Sequence, residues 1–155
     1  SLLAVHSLSK RSNMAGYRGA FVAGDSKLIA QLLEIRKHMG MMLPLPIQRS
    51  MAIALSDQSH VDKQAGRYQA RRGVLAEGVV KAGFKIEFSE AGLYIWCSRD
   101  ESDWDSVAWF AELGILVTPG SFYGVKADRY VRIALTASDE NISSAASRII
   151  EAIKP

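Results

Sequence analysis

A chain of 155 residues that is 48% hydrophobic and 23% charged has the composition of a folded globular protein and excludes a disordered one. The formal net charge of +3 comes from scattered lysines and arginines with no nucleic-acid-binding motif among them, so no nucleic-acid partner is expected. The single cysteine, Cys97, excludes an intrachain disulfide and a cysteine-based zinc cluster. No apolar run approaches the roughly 20 residues of a membrane span and no secretory signal opens the chain, so the expected compartment is the cytoplasm and no membrane partner is expected.

In chain order, the apolar run 2–6 predicts a buried strand, the segment around Lys10 a loop, and the glycine-bounded run 19–24 a second strand. Asp25 or Ser26 caps a helix over 26–38, with Leu28, Ile29, Leu32, Leu33 and Ile35 on its apolar side. Pro46 suits the first turn of a helix over 46–55. Ser56 or Asp57 caps a long amphipathic helix over 59–82, weakened by Gly66, Gly73 and Gly78 and ended by Gly83. Strands follow over 85–88 and 93–97, a helix over 103–113, strands over 115–118 and 130–135, and a last helix over 142–154 capped by Asn141. The fold class read from this order is α/β, passing into an α+β unit. Residues 1–56 read as the edge of a large α/β domain with an interdomain helix, and 57–155 as a small α+β domain. The second part can form a core of its own. The first would expose the apolar faces of its strands and is not expected to fold alone.

One short segment is rich in chemistry. Ser7-Leu8-Ser9-Lys10 is followed by Gly16 and Arg18. A lysine amine can form a Schiff base, and neighbouring hydroxyls and a guanidinium can hold a phosphate, which is what a pyridoxal phosphate (PLP) site requires. The alternatives are an exposed loop lysine, a surface ion pair for Arg18, plain loop serines and a simple turn glycine. Arg132 interrupts an apolar strand, Tyr130-Val131-Arg132-Ile133-Ala134-Leu135, and stands on the face opposite Val131 and Ile133. An outward-facing charge is its alternative reading.

Other residues read as structural. Cys97 reads as a small core side chain, His6 as a buried strand-end histidine, His38 as a helix-end residue and His60 as a surface one. The histidines show no spacing that suggests a metal. Phe122 and Tyr123 line a pocket or pack a hinge. Met39, Met41 and Met42 read as interface packing, and Arg67, Arg71 and Arg72 as a solvated face or ion pairs.

Taken together, Ser7, Ser9, Lys10 and Arg18, the Thr118-Pro119-Gly120-Ser121-Phe122-Tyr123-Gly124 turn and the Arg132 strand resemble the carboxy-terminal part of class I/II aminotransferases, which are fold type I PLP enzymes. The resemblance covers essentially the whole chain. Ser7 to Asn13 leading to Ala15-Gly16-Tyr17-Arg18 is most similar to the actinobacterial N-succinyldiaminopimelate aminotransferases of lysine biosynthesis. Gly19-Ala20 after Arg18 reverses the apolar-then-small order usual in the family.

The resemblance implies PLP as cofactor, with Lys10 as its catalytic lysine and Ser7, Ser9 and Arg18 on its phosphate. It also implies Arg132 as the substrate-carboxylate residue, glutamate and 2-oxoglutarate as amino donor couple, and a homodimer. Residues that contact the cofactor ring lie in an amino-terminal half that this chain would need as a partner. The competing expectations are another class I/II reaction, such as a β-lyase or carbon–carbon-forming synthase, or a non-catalytic fragment active only with that half.

Overall fold

The computed structural model describes residues 1–154, and these divide into two compact units, Ser1–Lys63 and the residues from Gln64 onward. The boundary falls inside one long helix.

In the first unit, β1 (Leu3–Ser7) runs antiparallel to β2 (Ala20–Gly24), pairing Leu3 with Gly24 and Ser7 with Ala20. Between them lie a single helical turn, α1 (Leu8–Arg11), and a 3-10 turn, Ala15–Tyr17. Lys10 therefore stands on a helical turn and not in the irregular loop expected, because Ser7 caps that turn with its side chain. Gly24 has φ of +143°, and a Cβ there would lie 2.1 Å from the Leu2 carbonyl oxygen, so only glycine allows the strand ends to close. Helix α2 (Ser26–His38) is capped by Asp25, whose carboxylate accepts from the N–H groups of Lys27 and Leu28. Helix α3 (Leu45–Ser56) carries Pro46 in its first turn.

Leu8 and Met51 are the buried apolar side chains of this unit, at 1% and 7% exposure. The strands expected to be buried are open to solvent: every residue of β1 is exposed, Val5 at 71%. Their sequence is apolar on both faces, but among the described residues cover is partial, with only Val22 of the two strands half-buried.

Helix α4 (Ser59–Lys81) leads into the second unit. There β3 (Lys85–Glu87), β4 (Tyr94–Ser98), β5 (Thr118–Pro119) and β6 (Tyr130–Ala134) form an antiparallel sheet in the order β3-β4-β6-β5. Strand alternation divides its faces. Ile95, Cys97, Val131 and Ile133 point into a core shared with Leu75 and Val79 of α4, Phe110 of α5 (Asp103–Glu112) and Ile149 of α6 (Asp139–Ala152). Burying an Ile or Phe side chain stabilises by about 1.5–3 kcal/mol, so this core is the main source of stability in the unit. The other face carries Tyr94, Trp96, Tyr130 and Arg132, all partly exposed.

Two boundaries differ from expectation. The strand expected over 115–118 pairs only at Thr118 and Pro119, while Ile115 and Val117 enter the core as irregular backbone. Helix α6 is capped by Ser138, whose hydroxyl accepts from Asn141 N–H, so Asn141 is the capped residue and not the cap.

The α4 glycines are not equivalent. A Cβ at Gly78 would approach Ala146 O to 3.3 Å, so the close passage of α4 against α6 depends on it, whereas one at Gly73 meets nothing within 4 Å. Gly73→Ala should therefore raise stability by about 0.5–1 kcal/mol through helix propensity. Gly120→Ala should lower it by about 3 kcal/mol. A Cβ at Gly120 would stand 2.1 Å from Ala127 O and 2.6 Å from Tyr130 O, both rigid backbone. Denaturant midpoints of the two variants would check both signs.

Candidate active-site elements

The first site element is the Lys10 turn. Ser7 Oγ accepts the Ser9 N–H at 3.1 Å and donates to Ser9 Oγ at 3.0 Å, which places both hydroxyls at the amino end of α1. Leu8 anchors the turn in the unit's small core, and its N–H donates to Gly19 O. The loop back to β2 holds two non-glycine residues in the left-handed region, Asn13 and Arg18, both at φ 52°. Each such residue costs about 1–3 kcal/mol of backbone strain, which persists only where the surroundings enforce it. The Arg18 guanidinium folds back to donate to Ala15 O at 3.0 Å. Lys10 and Arg18 are both exposed.

The carboxy end of the turn is gripped from the α3–α4 junction. Arg11 donates to Ala54 O at 3.0 Å and to Gln58 Oε1 at 2.9 Å. Ser12 Oγ lies 3.0 Å from His60 Nε2, and His60 Nδ1 lies 3.0 Å from Asp57 Oδ2. His60 is thus a partly buried, bonded residue and not the surface histidine expected. The Ser59 hydroxyl and N–H, with His60, hold the Asp57 carboxyl down at about 2 from the ordinary 3.8. That sign makes the stabilisation complete above about pH 4 and lost as pH falls towards 2. Asp57→Asn should flatten the acid limb of stability in that window, read as denaturant midpoint against pH.

The second element is Arg132. Its cross-strand neighbours are Trp96 and Thr118. The guanidinium carbon lies 4.2 Å from the Tyr94 ring centre and 5.3 Å from that of Tyr123, and Nη2 donates to Thr118 Oγ1 at 3.4 Å. Its Nε is buried and has no hydrogen-bond partner. A buried guanidinium N–H without an acceptor is costly, and an incoming carboxylate would satisfy it. Beside it Trp96 stacks on Tyr130 at 5.1 Å and 8°, and the Tyr130 hydroxyl donates to Glu87 at 2.7 Å. That bond pushes the Tyr130 phenol upward. Arg72 Nε is likewise buried and unpartnered, but its Nη2 donates to Gly92 O.

Ser7, Ser9 and Lys10 thus share one turn, with Arg18 on the return to β2, and Arg132 belongs to the second unit. The contribution of Tyr94 escaped sequence reading because it depends on a diagonal cross-strand position. Tyr123 was visible in the turn motif, but not its partner. His6 is exposed and not buried, resting 5.5 Å from Phe21. Arg71 forms an ion pair with Asp139. Cys97 is fully buried, and burial pushes its thiol up to about 12. Among the described residues no cluster of His, Cys, Asp and Glu could hold a metal ion, and no helix is long and apolar enough to cross a membrane.

Residues 1–24 include Lys10, Arg11 and Arg18 and no carboxylate. Lys10, Arg18 and the paired hydroxyls of Ser7 and Ser9 bring an amine, a guanidinium and two hydroxyls to this one segment. That chemistry fits a group bearing both an aldehyde and a phosphate dianion.

A lysine turn between antiparallel strands, then a helix-covered antiparallel sheet with an arginine on its open face, defines the carboxy-terminal layout of a PLP-dependent transferase fold. The chain belongs to the aminotransferase class I and II family, whose model matches residues 1–149. The family is PLP-dependent.

The chain is 53% identical over 148 residues to the 4-dedimethylamino-4-oxo-anhydrotetracycline transaminase OxyQ of Streptomyces rimosus, covering 96% of this chain and 41% of that protein. It is 51% identical over 148 residues to the probable aminotransferase Rv1178 of Mycobacterium tuberculosis, covering 96% and 35%. The LL-diaminopimelate aminotransferase of Dehalococcoides mccartyi is 34% identical over 149 residues, covering 93% and 38%. The chain therefore spans about two fifths or less of the length of these relatives. Among solved structures, a probable N-succinyldiaminopimelate aminotransferase from Thermus thermophilus superposes with a TM-score of 0.84 at 28% identity, covering 97% of this chain and 42% of that one.

Proposed function

We propose that this chain supplies the lysine and carboxylate-binding elements of a PLP-dependent aminotransferase that moves an amino group from glutamate to a keto acid, working in the cytoplasm as a homodimer. The observation that carries the reading is Arg132, a guanidinium set between two tyrosines with a buried, unsatisfied Nε.

When bound, PLP supplies an aldehyde for the substrate amine and an electron sink for the Cα carbanion. Lys10 would hold the cofactor aldehyde and then, as a free amine, take up and return the Cα proton. Ser7 and Ser9 would donate their hydroxyl protons to the cofactor phosphate, and Arg18 would present its planar donor fork to the same group once released from Ala15 O. Arg132 would take the substrate carboxylate on its Nε and Nη protons while Tyr94 and Tyr123 hold the guanidinium plane. The ring contacts and the rest of the cofactor cradle are assigned to the part of the relatives that this chain does not span.

For the acceptor we propose an N-succinylated amino-oxopimelate, in diaminopimelate and lysine biosynthesis. The Thermus neighbour and the LL-diaminopimelate relatives support it. The 53% identity to a 4-dedimethylamino-4-oxo-anhydrotetracycline transaminase favours a polycyclic ketone as the second reading. Purified enzyme offered glutamate with each acceptor in turn should form 2-oxoglutarate beyond one equivalent per site with one and not the other. Loss of the substrate Cα proton without any 2-oxoglutarate would sink the transaminase reading in favour of a lyase or synthase.

A further inference from the structure

We infer that Ser12, His60 and Asp57 form a hydrogen-bonded relay that positions the Lys10 turn, which makes His60 a positioning residue for amino transfer. The inference rests on the reading of Lys10 given above. Three observations carry it.

First, α1 is a single turn, and an isolated turn of this length does not hold itself together. Its amino end is fixed by Ser7, and its carboxy end is Ser12, whose N–H closes on Leu8 O. Second, the side chains of Arg11 and Ser12, the two residues directly after Lys10, are both held by the segment from Ala54 to His60. These polar side-chain bonds tie the lysine turn to residues beyond β2. Third, the three side chains are joined in series: Ser59 holds the Asp57 carboxylate, His60 Nδ1 lies 3.0 Å from Asp57 Oδ2, and His60 Nε2 lies 3.0 Å from Ser12 Oγ.

The same three side chains in the same order form the charge-stabilised nucleophile of serine hydrolases. Here the surroundings differ. The Ser12 N–H donates to Leu8 O, and the Arg11 guanidinium, which touches Ser12 Oγ at 3.4 Å, is engaged by Ala54 and Gln58. The Ser12 N–H and the Arg11 guanidinium are thus committed elsewhere and are not aimed as a pair at an oxyanion beside Ser12. The arrangement therefore orients a backbone turn and does not activate a nucleophile. A lysine that must both hold a cofactor and move a proton is sensitive to displacement of its stem on the scale of 1 Å.

The test uses the cofactor-loaded enzyme with Ser12→Ala, His60→Ala, His60→Gln and the Ser12→Ala/His60→Ala pair. Each alanine variant should lower kcat of the glutamate half-reaction by roughly 10-fold to 100-fold with KM little changed. The double variant should be no worse than either single one. His60→Gln, which keeps a polar group within reach of Ser12, should recover most of the rate. The pH midpoint of the bound cofactor's visible absorption should move in the alanine variants and return in His60→Gln.

Unchanged kcat and midpoint in both alanine variants would overturn the relay. So would equal loss in His60→Gln and His60→Ala accompanied by matching loss of thermal stability, because the residue would then be merely structural. Covalent labelling of Ser12 by a fluorophosphonate would overturn it in favour of a nucleophile. Borohydride reduction of the unmodified enzyme separates this from the parent reading. A cofactor adduct on Lys10 with inert relay variants defeats the relay alone, and its absence from Lys10 defeats the reading of the lysine itself.

Discussion

Lys10→Ala should abolish amino transfer, lowering kcat by about 10⁴-fold or more, because one amine serves both as the covalent anchor and as the proton carrier. Lys10→Arg should fail equally. A guanidinium keeps the positive charge but stays protonated at all working pH values, so it can neither condense with an aldehyde nor accept a proton. Loss of function here should not be loss of fold, since Lys10 is exposed and Leu8 carries the packing of the turn. Thermal unfolding of Lys10→Ala should therefore match that of the unmodified protein. Borohydride reduction followed by peptide mapping should place the cofactor mass on the peptide containing Lys10 and nowhere else. An adduct on Lys27 or Lys37, or substantial turnover by the alanine variant, would refute the assignment.

Arg132→Leu should lower kcat/KM for the amino acid by roughly 10²-fold, about 3 kcal/mol, the scale of a lost charge-assisted bidentate contact. The loss should fall chiefly on KM, because the carboxylate is held in both ground and transition states. Arg132→Lys should recover little of it. The ammonium is a point donor, it cannot present two parallel N–H groups, and it would not fill the planar space between Tyr94 and Tyr123. The discriminating substrate is the matching amine without an α-carboxylate, such as the decarboxylated form of the amino donor. If Arg132 binds the carboxylate, the unmodified enzyme should discriminate strongly against that amine, and Arg132→Leu should erase most of the difference. A variant that loses activity equally towards both would place Arg132 in the fold and not in the site.

Where local chemistry determines structure, the sequence was legible. Asp25 caps α2 because a carboxylate there meets two free N–H groups, and β4 and β6 could be read from alternation alone. The same alternation put Arg132 opposite the core. The Ser-x-Ser-Lys turn with Arg18 was visible as a concentration of donors. What could not be read depends on contacts between distant segments. His60 looked like a surface residue because its partner Ser12 is 48 positions away. Tyr94 reaches the guanidinium only through the register of β4 against β6. Residues 115–117 looked like a strand because buried irregular backbone has the same apolar pattern, and only pairing with β6 tells them apart. The burial expected of β1 misled for the opposite reason: composition shows that a strand is apolar, not whether anything covers it.

The chain's only thiol lies on a central strand of the second sheet, with no solvent exposure, its Sγ 3.9 Å from Val131 O on the neighbouring strand. A thiol held near 12 is essentially never ionised at neutral pH while the core is closed, so alkylating reagents reach it only when the core between the sheet and its helices opens. Cys97 is thus a built-in clock. The rate at which it is alkylated under native conditions counts the openings of the core beneath the sheet that presents Arg132, and it does so without any introduced probe.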